Sequence, residues 1–182
     1  MSEYYDFQKC LDMSHDAEDY PFWEQVYREA FPGVVAIVSH RADSLWQRSG
    51  VDRSITLGTS KQILVDEKIR GRNKITGKVY NDIALEYISN DRQGSPGWVC
   101  KPLLCDYIAY AIAPIGKCYL LPVIQLQSAW VRNKDEWLSR HGQRAAQNKS
   151  YKTFFCPVPV NVLFPAIGCE LRISFEAFEY SE

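Results

Sequence analysis

Two aspartates and a lysine stand at a spacing that suits metal-assisted hydrolysis. Asp52 opens the segment Asp52-Arg53-Ser54-Ile55-Thr56-Leu57, and Asp66 and Lys68 lie within Gln62-Ile63-Leu64-Val65-Asp66-Glu67-Lys68-Ile69-Arg70. Both segments are rich in β-branched and apolar residues. The turn-like Gly58-Thr59-Ser60-Lys61 joins them, so together they read as a β-hairpin. Side chains alternate along a strand, which puts Asp66 and Lys68 on one face and Val65, Glu67 and Ile69 on the other. Phosphodiester hydrolysis needs a polarised phosphate, an activated water and help for the leaving oxygen. Asp52 and Asp66 can offer oxygen ligands to Mg²⁺, which takes them at ~2.0–2.1 Å and retains waters, with Mn²⁺ as the substitute ion. A bound divalent ion lowers the pKa of its water and stabilises negative charge as it develops. Lys68 can orient or deprotonate the attacking water, or stabilise the transition state electrostatically.

Three further groups belong to this reading. Glu67 takes the place of Asp66 as the metal carboxylate if a bulge re-aims the strand. Glu86, a charge within the apolar run Asp82-Ile83-Ala84-Leu85-Glu86-Tyr87-Ile88-Ser89, needs a partner or a metal and is a candidate supporting ligand. Its alternative is a cross-strand partner for Arg70 or Lys68. Arg48, Arg70, Arg72 and Lys74 are placed to hold a nucleic-acid backbone, the last two in the glycine-bounded basic loop Gly71–Lys78.

The pattern of Asp52, a turn, then Asp66-x-Lys68 resembles the PD-(D/E)xK nuclease superfamily, whose fold many restriction and repair endonucleases share. Val51 stands where the motif's proline would be. The resemblance covers about the first two thirds of the chain. It implies a restriction-endonuclease-like α/β fold, a mixed β-sheet of about five strands flanked by helices. It also implies a Mg²⁺-dependent deoxyribonuclease with Asp52, Asp66 and Lys68 at its site and DNA as substrate. In such a fold a helix ahead of the central sheet often brings a glutamate to the metal, and Glu24 and Glu29 are the candidates.

The elements that position these groups are legible as patterns. Pro21 opens a helix with Trp23, Val26, Tyr27 and Ala30 on one stripe, and Phe31-Pro32-Gly33 closes it. Val34–Val38 reads as a buried strand or packed turn. Residues 82–89, Tyr107–Ile112 and Cys118–Leu121 read as further strands of the same sheet. Pro114-Ile115-Gly116-Lys117 is a hairpin turn between the last two. Pro102 can open a short helix. A helix from Pro122 to Arg144 would cover the sheet. Tyr151–Val160 is extended, with Pro157 and Pro159 pointing to an edge or a loop, Val162–Ile167 is a short apolar turn, and Leu171–Phe175 is an edge strand.

The 182 residues fit one domain, residues 1–182, with ordinary proportions of 46% hydrophobic and 24% charged residues. No apolar run approaches the ~20 residues of a membrane span, and the polar, acidic start is unlike a signal peptide. The expectation is a cytoplasmic protein with no membrane partner. The six cysteines form no CxxC pair and read as reduced, mostly buried thiols, with a structural zinc site as the minor alternative. No phosphate-binding glycine loop, GxSxG elbow or HExxH helix is present.

Net charge is −1, but its distribution is uneven. Eight acids fall within residues 1–31, while residues 61–78 hold six bases against Asp66 and Glu67. A second basic stretch carries Arg132, Lys134, Arg140, Arg144, Lys149 and Lys152. Phosphate-backbone binding calls for such clustering. A nuclease cutting both strands would usually act as a homodimer with two sites. The rival classes are a non-catalytic binding module, in which Asp52, Asp66 and Lys68 form a structural ion pair, and an adaptor anchored by exposed Trp46, Trp98 and Trp137.

Overall fold

A computed structural model describes residues 20–73, 76–169 and 171–180. Their contacts gather in two compact units where the sequence reads as one domain. One unit holds the described residues up to Tyr80, Leu103–Val123 and the residues after Glu170. The other holds Asn81–Pro102 and Ile124–Cys169. The fold class is mixed α/β. No helix among the described residues is long and apolar enough to cross a membrane.

The first unit is built on a six-stranded sheet of β1 (Val34–Ser39), β2 (Arg53–Leu57), β3 (Gln62–Arg70), β6 (Tyr107–Ile112), β7 (Lys117–Pro122) and β10 (Arg172–Ser174), in that spatial order. All neighbours are antiparallel except β3 and β6, which run parallel at the centre. A parallel pair needs a long crossover, and the chain supplies one by building part of the second unit between these strands. Helix α1 (Phe22–Ala30) shows why Pro21 and the apolar stripe matter. Phe22, Trp23, Val26 and Tyr27 are buried in one apolar layer with Ile55, Ile63, Val65, Ala109, Leu120 and Phe175. Phe22 stacks on Phe175 with ring centroids 4.3 Å apart, which ties the helix to the chain just beyond β10.

The second unit holds a four-stranded antiparallel sheet of β5 (Ser95–Pro96), β4 (Asp82–Asn90), β9 (Lys152–Pro159) and β8 (Arg144–Gln147), in that order. Helix α3 (Val123–His141) belongs to this unit apart from its first residue, and its Trp130 stacks on Tyr87 of β4. Helix α4 (Val160–Ile167) follows β9 and is linked to α3 by Arg132, which donates to the Ala166 carbonyl at 3.1 Å.

Several expectations need correction. The Asp82 strand does not join the sheet of β2 and β3. It is a central strand of the second sheet, and β1 and β10 complete the first. Among the described residues the strands therefore number ten, in two sheets, against about five in one. The strand β1 is an edge strand, with Val35 and Val38 exposed rather than buried. The α3 helix packs on the second sheet through the Trp130–Tyr87 stack. No helix starts at Pro102, and Val160–Ile167 is a helix rather than a turn. Pro157 and Pro159 lie in an interior strand. Even so, β8 pairs only with Lys152–Phe155, so both prolines sit beyond its end with β4 alone beside them. Their missing N–H groups leave no ladder bond unmade on that side.

Candidate active site on the β2–β3 hairpin

The site begins with strand register. Arg53 lies opposite Val65 and Ser54 opposite Leu64, and the Asp52 amide donates to the Val65 carbonyl at 2.8 Å. Asp52 and Asp66 are therefore neighbours across the ladder and share a face with Lys68. Both aspartates are buried, at 8% and 4% exposure. Lys68 Nζ is ion-paired to Asp66 Oδ1. The Lys68 side chain is about one-third exposed, so the cluster meets solvent at the lysine. Cys105 is buried close to this group, its thiol pushed up to about 12 by burial and by Asp66.

A short helix, α2 (Ser44–Arg48), supplies the next contact. Asp43 caps it by accepting from the Leu45 amide at 2.9 Å. The chain then turns at Gly50, whose φ of +70° is a left-handed conformation open to glycine. That turn lets Val51 donate to the Trp46 carbonyl and delivers Asp52 to the head of β2. Gln47 Nε2 on this helix donates to Asp52 Oδ1 at 2.9 Å, and the Glu67 amide donates to Asp52 Oδ2 at 2.6 Å. Both oxygens of Asp52 are thus oriented. Beside it the His40 amide donates to the Asp52 carbonyl, His40 Nε2 lies 2.9 Å from Ser54 Oγ, and the His40 ring stacks on Trp46 with centroids 4.5 Å apart.

Two carboxylates side by side across a ladder inside the protein cannot both ionise cheaply. Burial, opposed by Lys68 and reinforced by Asp52, lifts Asp66 to about 7. A divalent cation suits such a pair because it replaces a shared proton with a stronger positive charge. Among the described residues no group of three or more His, Cys, Asp or Glu side chains is gathered as a metal cluster. Two carboxylates are the ligand number with which Mg²⁺, retaining its waters, is commonly bound. The donor set fits that ion and is too hard and too small for a structural zinc.

No family model, curated protein or solved structure significantly matches the chain. The site stands on its geometry.

The other sequence candidates divide sharply. Glu67 is on the opposite face, within the apolar layer. It accepts from Arg53 Nε at 2.6 Å and from the Tyr27 hydroxyl at 2.5 Å, and burial lifts it to about 8. No bulge interrupts β3, so alternation decides for Asp66. Glu86 is half-buried on β4, in the other unit, where its ladder partner is Phe155 and not Arg70 or Lys68. Arg70 cannot hold a phosphate backbone as expected. It is 5% exposed, lies over the Tyr80 ring at 4.1 Å and reaches Tyr110. Arg72 forms a two-pronged pair with Glu179 near the C-terminus. Arg48 is exposed on α2, one residue from Gln47. Lys74 lies outside the described residues.

The helix ahead of the sheet does reach the hairpin, but not with a glutamate. Glu24 is exposed and paired with Arg28, and Glu29 is exposed, whereas Tyr27 reaches Glu67. Sequence reasoning places Tyr27 on the apolar stripe, where its hydroxyl gives no signal, and misses Arg53 and Cys105. Trp98 and Trp137 are buried and Trp46 is half-buried against His40, which removes the three-tryptophan adaptor surface. Cys105, Cys118 and Cys156 are buried, and all five described cysteines are free thiols.

Proposed function

We propose that this protein is a metal-dependent endonuclease that hydrolyses DNA phosphodiester bonds at the β2–β3 hairpin. The observation that carries the reading is the cross-ladder placement of Asp52 against Asp66 with Lys68 on the same face. The order of elements agrees with the resemblance read from the sequence: a helix packs ahead of a β1–β2–β3 meander, and a parallel strand follows beside β3.

Asp52 and Asp66 would hold Mg²⁺ or Mn²⁺. The ion supplies an acidified water and positive charge beside the phosphate. Gln47 and the Glu67 amide fix the Asp52 carboxylate, which keeps one ligand rigid while substrate arrives. Lys68 is the only ammonium paired to the cluster among the described ion pairs. With a cation held at Asp66, that ammonium would be able to face the attacking water or the negative charge that develops on the phosphate. Arg48 is placed to meet the DNA backbone at the edge of the site. Cutting both strands would need two such sites, as in a homodimer.

One observation favours a second reading. Lys68 already satisfies Asp66 as an ion pair, as a structural role in a non-catalytic DNA- or protein-binding module would require. Cleavage separates the two. Plasmid and short branched DNA are incubated with Mg²⁺ or Mn²⁺ and with wild type, Asp66→Ala or Lys68→Ala. Metal-dependent cutting that both substitutions abolish is the expected result. A folded wild type that cuts neither substrate, or variants that cut equally well, would transfer the protein to the binding class.

A further inference from the structure

The reverse face of the hairpin contains a feature that stability does not explain. Glu67 points into the layer formed by Ile63, Val65, Phe22 and Trp23, yet it carries a carboxyl group there. Its side chain is 3% exposed and that of its partner Arg53 is 15% exposed. A buried ion pair is often no more stable than apolar side chains of similar volume. This one is also incomplete, since Glu67 Oε2 has no hydrogen-bond partner among the described residues. Such an orphan is a cost that a leucine would avoid.

What the group does achieve is positional. Arg53 directly follows Asp52, and Glu67 directly follows Asp66. The Glu67 carboxylate holds the Arg53 side chain at 2.6 Å, while the Glu67 amide holds Asp52 Oδ2 at 2.6 Å. Tyr27 anchors the same carboxylate oxygen from α1 at 2.5 Å. A one-residue slip between β2 and β3 would send Asp66 to the wrong face. A single polar contact inside an apolar layer penalises that slip far more than interchangeable aliphatics do.

Building on the nuclease reading, we infer that Tyr27, Arg53 and Glu67 form a positioning clamp on the back of the hairpin, which fixes Asp52 against Asp66 for the metal. None of the three touches substrate. They act through the strand that carries the ligands.

The test compares wild type with the double variant Arg53→Met/Glu67→Leu, in which apolar side chains fill the same layer. Three quantities are read: thermal midpoint, Mn²⁺ affinity by titration, and the kcat and KM of DNA cleavage. The clamp requires a cooperatively folded variant with Mn²⁺ affinity lowered about tenfold or more. It also requires kcat to fall while KM for DNA is unchanged. A folded double variant with the Mn²⁺ affinity and kcat of wild type overturns the inference and leaves the nuclease reading intact. Tyr27→Phe removes only a hydroxyl and is read in the same way, including where the double variant does not fold. Its expected loss of Mn²⁺ affinity is about threefold or more, and an affinity equal to wild type overturns the clamp. A wild type that binds no Mn²⁺ and cuts no DNA overturns the nuclease reading first, and the clamp with it.

Discussion

Burial makes Asp66 a group that changes charge near neutrality. Its folded value of about 7 lies above the ordinary 3.8, and Glu67 moves in the same direction from 4.5 to about 8. A raised acid contributes stability that is fully present below its unfolded value and is lost as pH rises through its folded value. The metal-free protein should therefore lose stability as pH climbs from about 4 to about 8. For Asp66 alone that loss is at most about 4 kcal/mol, and coupling to Lys68 and Asp52 reduces it. Asp66→Asn, neutral throughout, should flatten this slope in urea unfolding followed across that range; an unchanged slope would show that Asp66 does not titrate there. Adding Mn²⁺ should stabilise wild type more at pH 8 than at pH 5, because the ion competes with the proton. Gln47→Ala removes the donor to Asp52 Oδ1. It should weaken Mn²⁺ binding about tenfold or more while leaving the fold intact. At this scale the sequence was informative about Asp52, Asp66 and Lys68 because alternation alone sorts them. It was silent on Tyr27 and Arg53, since nothing local tells a buried hydroxyl or guanidinium which carboxylate it will meet.

Elements make the site by setting two turns. In the β2–β3 turn Ser60 has φ of +64°, a conformation that costs a residue with a Cβ roughly 1–2 kcal/mol. Ser60→Gly relieves it and should stabilise the protein by about 0.5–1 kcal/mol, after the entropy that glycine adds to the unfolded chain. Activity should not change, since the turn lies at the end of the hairpin away from Asp52. In the β6–β7 turn Gly116 has φ of +58°, and a Cβ there would lie 2.2 Å from the Phe175 carbonyl oxygen. Gly116→Ala should cost at least about 2 kcal/mol by thermal or urea unfolding. Strand β3 was readable to its ends, Gln62–Arg70, because glycines bound it on both sides. The edge character of β1 was not, because five apolar residues in a row look the same whether one ladder side is open or closed. Pro157 and Pro159 misled for a related reason: proline reports a local lack of a neighbour, and β8 is simply too short to reach them.

At the scale of the whole molecule, the chain leaves the first sheet after β3 and returns at β6, building the Asn81–Pro102 part of the second unit on the way. The Asp82 strand carries the same β-branched and apolar signal as β2 and β3, so the sequence held no mark that it would join another sheet. That is why Glu86 seemed a neighbour of Asp66. The basic stretches are dispersed as well. Arg70 is buried, Arg72 is paired with Glu179, and Arg140 is paired with Glu136 on α3. Arg48 is exposed on α2, next to the Gln47 that donates to Asp52. Arg48→Ala should weaken binding to all DNA sequences alike and reduce the salt slope of log K by about one. An unchanged slope would remove Arg48 from the interface. The claim on which the account rests is that Asp52 and Asp66 together hold one divalent cation. Mn²⁺ titration followed by electron paramagnetic resonance tests it most directly, with wild type beside Asp52→Asn and Asp66→Asn at pH 8. One site in wild type that either substitution abolishes is the result expected. Absence of binding in wild type, or a site that survives both substitutions, would contradict the account.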